Sequence, residues 1–331
     1  MDLTTDYLGQ RITSPLIPSA SPLTHSLDSA KRLEEAGAGA IIMHSLFEES
    51  IDAEEAHLEK LLHHQETGFG EAQSFLPTHN GFGSVLDDYL EQLRRLKGAL
   101  QIPVVASLNG ITEGGWLEHA ADLEQAGADA LELNVYFVPT DLDLPGSQVE
   151  RRYLTLLGAL RERIRIPINM KLSPYFSSTG HLVREIETIG GNGVALFNRF
   201  YEPDIDIESL RLNHRLQLST AQESLLSMHW MALLYGRTRL TLGATSGVHS
   251  AADAIKLLLA GADVVHLCSL LLEQGPGALA KVRQGIEEWM EEKGFEDLDA
   301  FRGMLSHHHT DNPELLERIN YLKTLDSYHL R

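Results

Sequence analysis

The 331-residue sequence has a single cysteine, Cys268, so no internal disulfide can form; one lone thiol fits a reducing, cytoplasmic setting. Positive charge is also scarce. Lys and Arg number 27 against 47 Asp and Glu, a formal charge of -20 with no basic stripe, which disfavours nucleic acid or an anionic membrane surface as a partner. No apolar run approaches the ~20 residues of a membrane span, and the Met1–Gln10 start is polar and acidic rather than signal-like. No Gly-x-Gly-x-x-Gly follows the first strand-like run, which argues against a dinucleotide-binding open sheet. His57, His63 and His64 share a helix-like stretch in which no matching carboxylate geometry is readable, so no metal site is expected.

What the chain does have is a 43% apolar content and a recurring local pattern: a helical stretch, a small-residue stop, then an apolar strand. It recurs as "AKRLEEAGAGAIIMHS", "AADLEQAGADALELN", "REIETIGGNGVALFN" and "AIKLLLAGADVVHLC". Glycine ends such helices in a left-handed cap, and the β-rich run behind it enters a buried parallel sheet. Eight strands are expected, at 15–21, 40–46, 103–109, 130–136, 167–173, 193–199, 239–245 and 264–270. Eight alternating β/α units point to an α/β (β/α)8 TIM barrel over about 12–295, one domain for the whole chain. Long βα insertions are expected at 47–85 and 200–237, and a C-terminal helical tail at 296–331.

Several polar residues fall on the inward face of these strands. In "INMKLSP" the apolar Ile168, Met170 and Leu172 form one face, which leaves Asn169, Lys171 and Ser173 on the other. The same alternation turns Glu132, Asn134 and Tyr136 inward, with Ser107 and Asn109 beside them, and Asn198 closes the sixth strand. A lysine inside a barrel needs an anion, because an unpaired buried charge costs several kcal/mol. Two partners are open to Lys171: Glu132, or an electron-rich cofactor or substrate, which the convergent Asn amides favour. The small-residue turns "LGATSGVHSAADA" and "HLCSLLLEQGPGA" suit a phosphate at a helix N-terminus after strands seven and eight. The Gly-flanked loop holding His79 and Asn80 is a candidate lid over a substrate.

Taken in order, "PLIPSAS", "HS", "LELN", "MKLSP", "FN", "ATSGVHSAADA" and "HLCSLL" make the chain resemble the dihydroorotate dehydrogenase family of FMN-dependent barrels. The resemblance implies that Ala20, Ser21, His44, Ser45 and Asn109 lie near the flavin and Lys171 lies beside its N1/O2 edge. It also puts Ser246, Gly247, Cys268 and Ser269 around the phosphate, and Asn134 and Asn198 on the substrate ring. The implied reaction moves a hydride from a saturated C–C bond to flavin N5 while a base takes the neighbouring proton. A homodimer and an electron-transfer partner subunit are further implications.

The departures fall on the substrate side. Where the family carries a Cys or Ser base, "NVYFVP" places Phe137, and Pro139 stands where a second ring-binding Asn is expected. That leaves Tyr136 as the candidate proton-transfer group, although phenols ionise near pH ~10 and a role in ring stacking or packing competes. The expectation is an FMN oxidoreductase acting on a dihydropyrimidine-like ring, with dihydroorotate itself in question. A flavin-bearing subunit that needs a partner, or a Schiff-base aldolase using Lys171, are the alternatives.

Overall fold

Strands with a greasy outer face and a polar inner face suit a sheet curled on itself with helices outside, and the chain builds one that is nearly closed. A computed structural model describes residues 1–51, 53–54, 84–110, 114–213 and 215–327, with the side chains of 114–116 and 118 excepted. The strands are β1 (Leu16–Pro18), β2 (Ile41–Phe47), β3 (Val104–Gly110), β4 (Ala130–Val135), β5 (Ile168–Leu172), β6 (Gly193–Leu196), β7 (Thr241–Ala244) and β8 (Val264–Leu267). They form one parallel sheet in the order β1-β8-β7-β6-β5-β4-β3-β2. The helices that cover it are α1 (Leu27–Glu35), α2 (Val85–Ala99), α3 (Gly114–Gln125), α4 (Gly146–Arg163), α5 (Thr179–Ile189), α6 (Ser224–Leu234), α7 (Ala251–Ala260), α8 (Ser269–Gln274) and α9 (Gly277–Lys293). This is a (β/α)8 TIM barrel.

The seam lies between β1 and β2, where the Gly39 N–H donates to the Leu16 carbonyl at 3.0 Å. Only glycine fits there, since a Cβ on Gly39 would stand 1.9 Å from the Ser14 carbonyl oxygen. Ile168, Met170, Leu172, Leu131 and Leu133 join the outer core beneath the helices. The inward residues fall into tiers: Ser107, Glu132 and Asn169 are level across three strands, and Asn109, Asn134, Lys171 and Ala195 form the tier above.

The expected strands run long at their C-terminal ends. β1 stops at Pro18, β6 at Leu196 and β8 at Leu267, because Pro22–Thr24 turns into a 3-10 helix and Ser269 opens α8. Cys268 is therefore the N-cap of a helix rather than a strand residue. The 200–237 connection includes the barrel's own sixth helix, α6, preceded by a hairpin of Asp204–Asp206 and Arg211–Asn213.

A second hairpin, Thr5–Tyr7 with Gln10–Ile12, plugs the N-terminal mouth, where Tyr7, Leu8 and Ile12 pack on Ile17, Ile42, Val105, Ala130 and Val264. The tail beyond α9 anchors nearby. Leu298 and Phe301 are fully buried, and Arg302 donates to Asp263 (3.0 Å) and Thr5 (2.8 Å) before an exposed helix, α10 (Arg318–Asp326). The expected lid pair His79 and Asn80, and His57, His63 and His64, lie outside the described residues. Among the described residues no helix is long and apolar enough to cross a membrane.

Candidate active site

The strand C-termini frame a cleft of about 200 Å³ lined by Ser19, Ala20, Ser21, Lys171, Asn198, Arg199, Tyr201, Ser219, Ser246, Gly247, His266, Cys268 and Ser269, among others. Lys171 is 9% exposed, with its Nζ 3.4 Å from Glu132 Oε1, and Glu132 is wholly buried. The other carboxylate oxygen accepts from Asn169 Nδ2 at 3.2 Å. Glu132 is thus the partner of the ammonium, and Lys171 also lines the cleft. One tier higher, Asn198 Nδ2 donates to Asn134 Oδ1 at 2.7 Å, so the two amides fix each other's orientation.

At the other end of the cleft, hydroxyls and backbone amides converge. Ser219 Oγ donates to Ser269 Oγ (2.9 Å), the Ser219 amide donates to the same oxygen (3.0 Å), and the Gly247 amide donates to Ser219 Oγ (3.3 Å). Ser246 Oγ donates to the Phe197 carbonyl at 3.1 Å. Gly247 holds φ +77, and a Cβ there would stand 2.3 Å from the Ser224 amide that begins α6. Burial pushes the Cys268 thiol up, against the pull of Lys171 and Arg199, which makes it a neutral wall rather than a nucleophile.

Ala20, Ser21, Lys171, Asn198, Ser246, Gly247, Cys268 and Ser269 are thus brought together in the cleft, and Asn134 joins through Asn198. His44 and Ser45 line a separate pocket with Phe47, Tyr89 and Gln92. The His44 ring stacks on His25 at 3.6 Å, and burial, then His25, pushes it down to about 4. Ser45 Oγ lies 3.0 Å from Ser107 Oγ, and Asn109 stays level with Asn134 at the end of β3.

Tyr136 turns toward the β6 loop, where it stacks on Phe200 at 4.1 Å and its hydroxyl accepts from the Tyr201 amide at 2.8 Å. Phe137 packs on the outer core beneath the Arg152 guanidinium, 4.2 Å from its ring centre. Tyr136→Phe is accordingly expected to change kcat/KM by less than about threefold, whereas loss of a working general base would cost roughly 10²–10⁴-fold. Steady-state kinetics on the two proteins would separate these outcomes.

Ser219, Arg199, Tyr201 and His266 are among the cleft residues that the sequence did not single out. Arg199 is clamped by Glu223 (2.6 Å) and by the Gln217 carbonyl (2.6 Å). His266 is 2% exposed, and burial pushes its imidazole down to about 4 from an ordinary 6.5. A depressed histidine stabilises the fold fully above 6.5, and that contribution is lost as pH falls toward 4, because only the unfolded chain takes up the proton in that window. At about 1.4 kcal/mol per unit, the loss is about 3 kcal/mol for His266. Urea unfolding between pH 6.5 and 4 should show a steeper decline for the wild type than for His266→Gln.

A parallel barrel whose cleft collects hydroxyls and amides after β6, β7 and β8, with an anchored cation in the same cleft, has the layout of a (β/α)8 enzyme with its site at the strand C-termini. Comparison with known proteins narrows the class. A family model described as dihydroorotate dehydrogenase matches residues 58–290, and the chain belongs to that family, whose members are oxidoreductases acting on CH–CH bonds with FMN as cofactor. A protein of Aeropyrum pernix, provisionally named dihydroorotate dehydrogenase A (fumarate), is 30% identical over 61% of this chain and 67% of its own length. The catalytic subunit of dihydroorotate dehydrogenase B (NAD(+)) from Methanosarcina acetivorans is 26% identical over 90% of this chain and 94% of its own. Dihydroorotate dehydrogenase A (fumarate) of Lactobacillus delbrueckii is 24% identical over 69% and 75%.

The residues present fit FMN. The clustered hydroxyls and the Gly247 backbone, which no Cβ could share, match a phosphate, and the Lys171 ammonium with the orphaned ring nitrogens of His266 matches a polar heterocycle edge.

Proposed function

We propose that the protein binds FMN in this cleft and oxidises a dihydropyrimidine-like ring other than dihydroorotate, or one bound differently from it. The observation that carries this reading is Lys171, held by a buried carboxylate yet lining the cleft, one tier with Asn134. Bound FMN would supply a two-electron acceptor for hydride released from a C–H bond as the substrate's saturated C–C unit becomes a double bond. Lys171 presents a preplaced cation where negative charge gathers, at no reorganisation cost, because Glu132 and Asn169 already fix it. Ser219, Ser246, Ser269 and the Gly247 amide hold the phosphate, and Asn134 with Asn198 orient the substrate ring through fixed amide directions. Phe137, an aromatic hydrocarbon beneath Arg152, cannot accept the neighbouring proton, which in this reading passes to water in the cleft. A Schiff-base role for Lys171 fits poorly, since that chemistry needs a mobile uncharged amine and Nζ is engaged by Glu132.

A partner subunit that removes the electrons belongs to this reading, supported by the "catalytic subunit" in the name of the Methanosarcina acetivorans relative. A homodimer in the cytoplasm is the setting we infer, the latter from the lone Cys268. The test is anaerobic titration of the FMN-loaded protein with dihydroorotate and with dihydropyrimidines lacking or displacing its carboxylate. Bleaching by one of the latter at lower concentration than dihydroorotate supports the reading. Flavin that stays oxidised with every donor until a partner protein is added would instead assign the chain as an electron-carrying subunit.

A further inference from the structure

Three buried polar atoms inside the barrel have no hydrogen-bond partner among the described residues: both ring nitrogens of His266 and the hydroxyl of Tyr7. Leaving a buried donor or acceptor unsatisfied costs about 1–3 kcal/mol, so such atoms point to something that binds them. His266 is almost fully enclosed, yet it lines the cleft together with Lys171. The barrel makes room for the ring on purpose. Gly243 on β7 has no side chain, and a Cβ there would press within 2.8 Å of His266 Nε2. The Tyr7 ring supports the imidazole edge-on, at 6.4 Å and 78°.

Burial is the main influence on the His266 imidazole, with Glu132 opposing it and Lys171 reinforcing it, and the ring is neutral near pH 7. A neutral imidazole donates from one nitrogen and accepts at the other. Lys171 brings charge but little direction, because an ammonium acts as a compact point charge even when anchored, whereas a wedged imidazole brings direction without charge. The two lie on different strands, β5 and β8, so they reach a bound ring from different sides of the barrel.

We propose that His266 contacts the ring of the cofactor beside Lys171, donating one hydrogen bond to the carbonyl-bearing edge of the heterocycle seated in the cleft. The inference rests on the FMN reading of the site. Donation to that edge favours the reduced ring, which carries more negative charge there.

The experiment measures the midpoint potential of bound FMN in the wild type, His266→Leu and His266→Gln. In His266→Leu the reduced form should bind about tenfold more weakly relative to the oxidised form, a fall of about 30 mV for a two-electron couple. His266→Gln, which keeps a donor, should recover at least half of it. Should the leucine variant fail to fold, the wild type and His266→Gln decide: ¹⁵N signals of the His266 ring, identified by their absence in His266→Gln, should move when FMN is added. Equal potentials in the wild type and His266→Leu, or ring signals unmoved while FMN binds, would overturn the role of His266 and leave the FMN reading standing. Failure of the wild type to take up FMN would overturn both.

Discussion

Lys171→Met should slow reduction of bound FMN by its substrate roughly 10²–10³-fold, about 3–4 kcal/mol, the usual loss when one preorganised electrostatic contact is removed. It should also destabilise the fold by about 3–5 kcal/mol, because removing one member of a buried ion pair strands the other. Glu132 is wholly buried, and Asn169 would be its only remaining partner among those described. The paired variant Lys171→Met with Glu132→Gln separates the effects: stability should largely return while the rate stays low. Urea unfolding and single-turnover reduction read the two quantities independently. A paired variant as fast as the wild type would show that Lys171 serves only to neutralise Glu132.

Gly247→Ala should raise the Kd for FMN roughly 100-fold, about 3 kcal/mol, from two costs that coincide. The residue sits at φ +77, which costs an L side chain about 1–2 kcal/mol, and its Cβ would overlap the Ser224 backbone at 2.3 Å, an overpacking of about 1–3 kcal/mol. The only relief is to move the start of α6 or the turn after β7, and Ser219, which bonds the Gly247 amide, would move with it. Gly294→Ala is the matched control. It has the same φ of +77 but nothing within 4 Å of its would-be Cβ, so it should lose about 1 kcal/mol of stability and leave FMN binding unchanged. Fluorescence titration of FMN into the three proteins checks both halves.

Much of this site was legible because strand alternation is a strong constraint when one face must be greasy. In "INMKLSP" three large apolar residues on one face leave Lys171 no direction but inward, and it is there. The small-residue turns after β7 and β8 were legible for a related reason, since a tight turn into a helix needs small side chains whatever it binds. His266 was not legible. It sits in "ADVVHLCSL", where both faces of the strand are buried and the apolar run gives no alternation to read. Ser219 comes from the long connection before α6, whose path only the folded chain shows.

His44 is placed apart from the cleft for a different reason. The β2–β3 register shifts between Ile42 and Ser45, so two residues of β2 lie between pairs that span one residue of β3, and the bulge carries His44 onto His25 instead of into the cleft lining. The N-terminal hairpin escaped because two three-residue strands are too short to show a period. Its consequence is large all the same: it seals the barrel floor and brings Tyr7 against His266.

The central claim is that an anchored cation on β5 stabilises the reduced ring of a bound flavin. The midpoint potential of FMN bound to the wild type, set against FMN bound to the Lys171→Met, Glu132→Gln protein, measures that directly. The wild type should lie about 60 mV higher, equivalent to roughly hundredfold tighter relative binding of the reduced form. Potentials that coincide, in two folded proteins that both hold FMN, would contradict it.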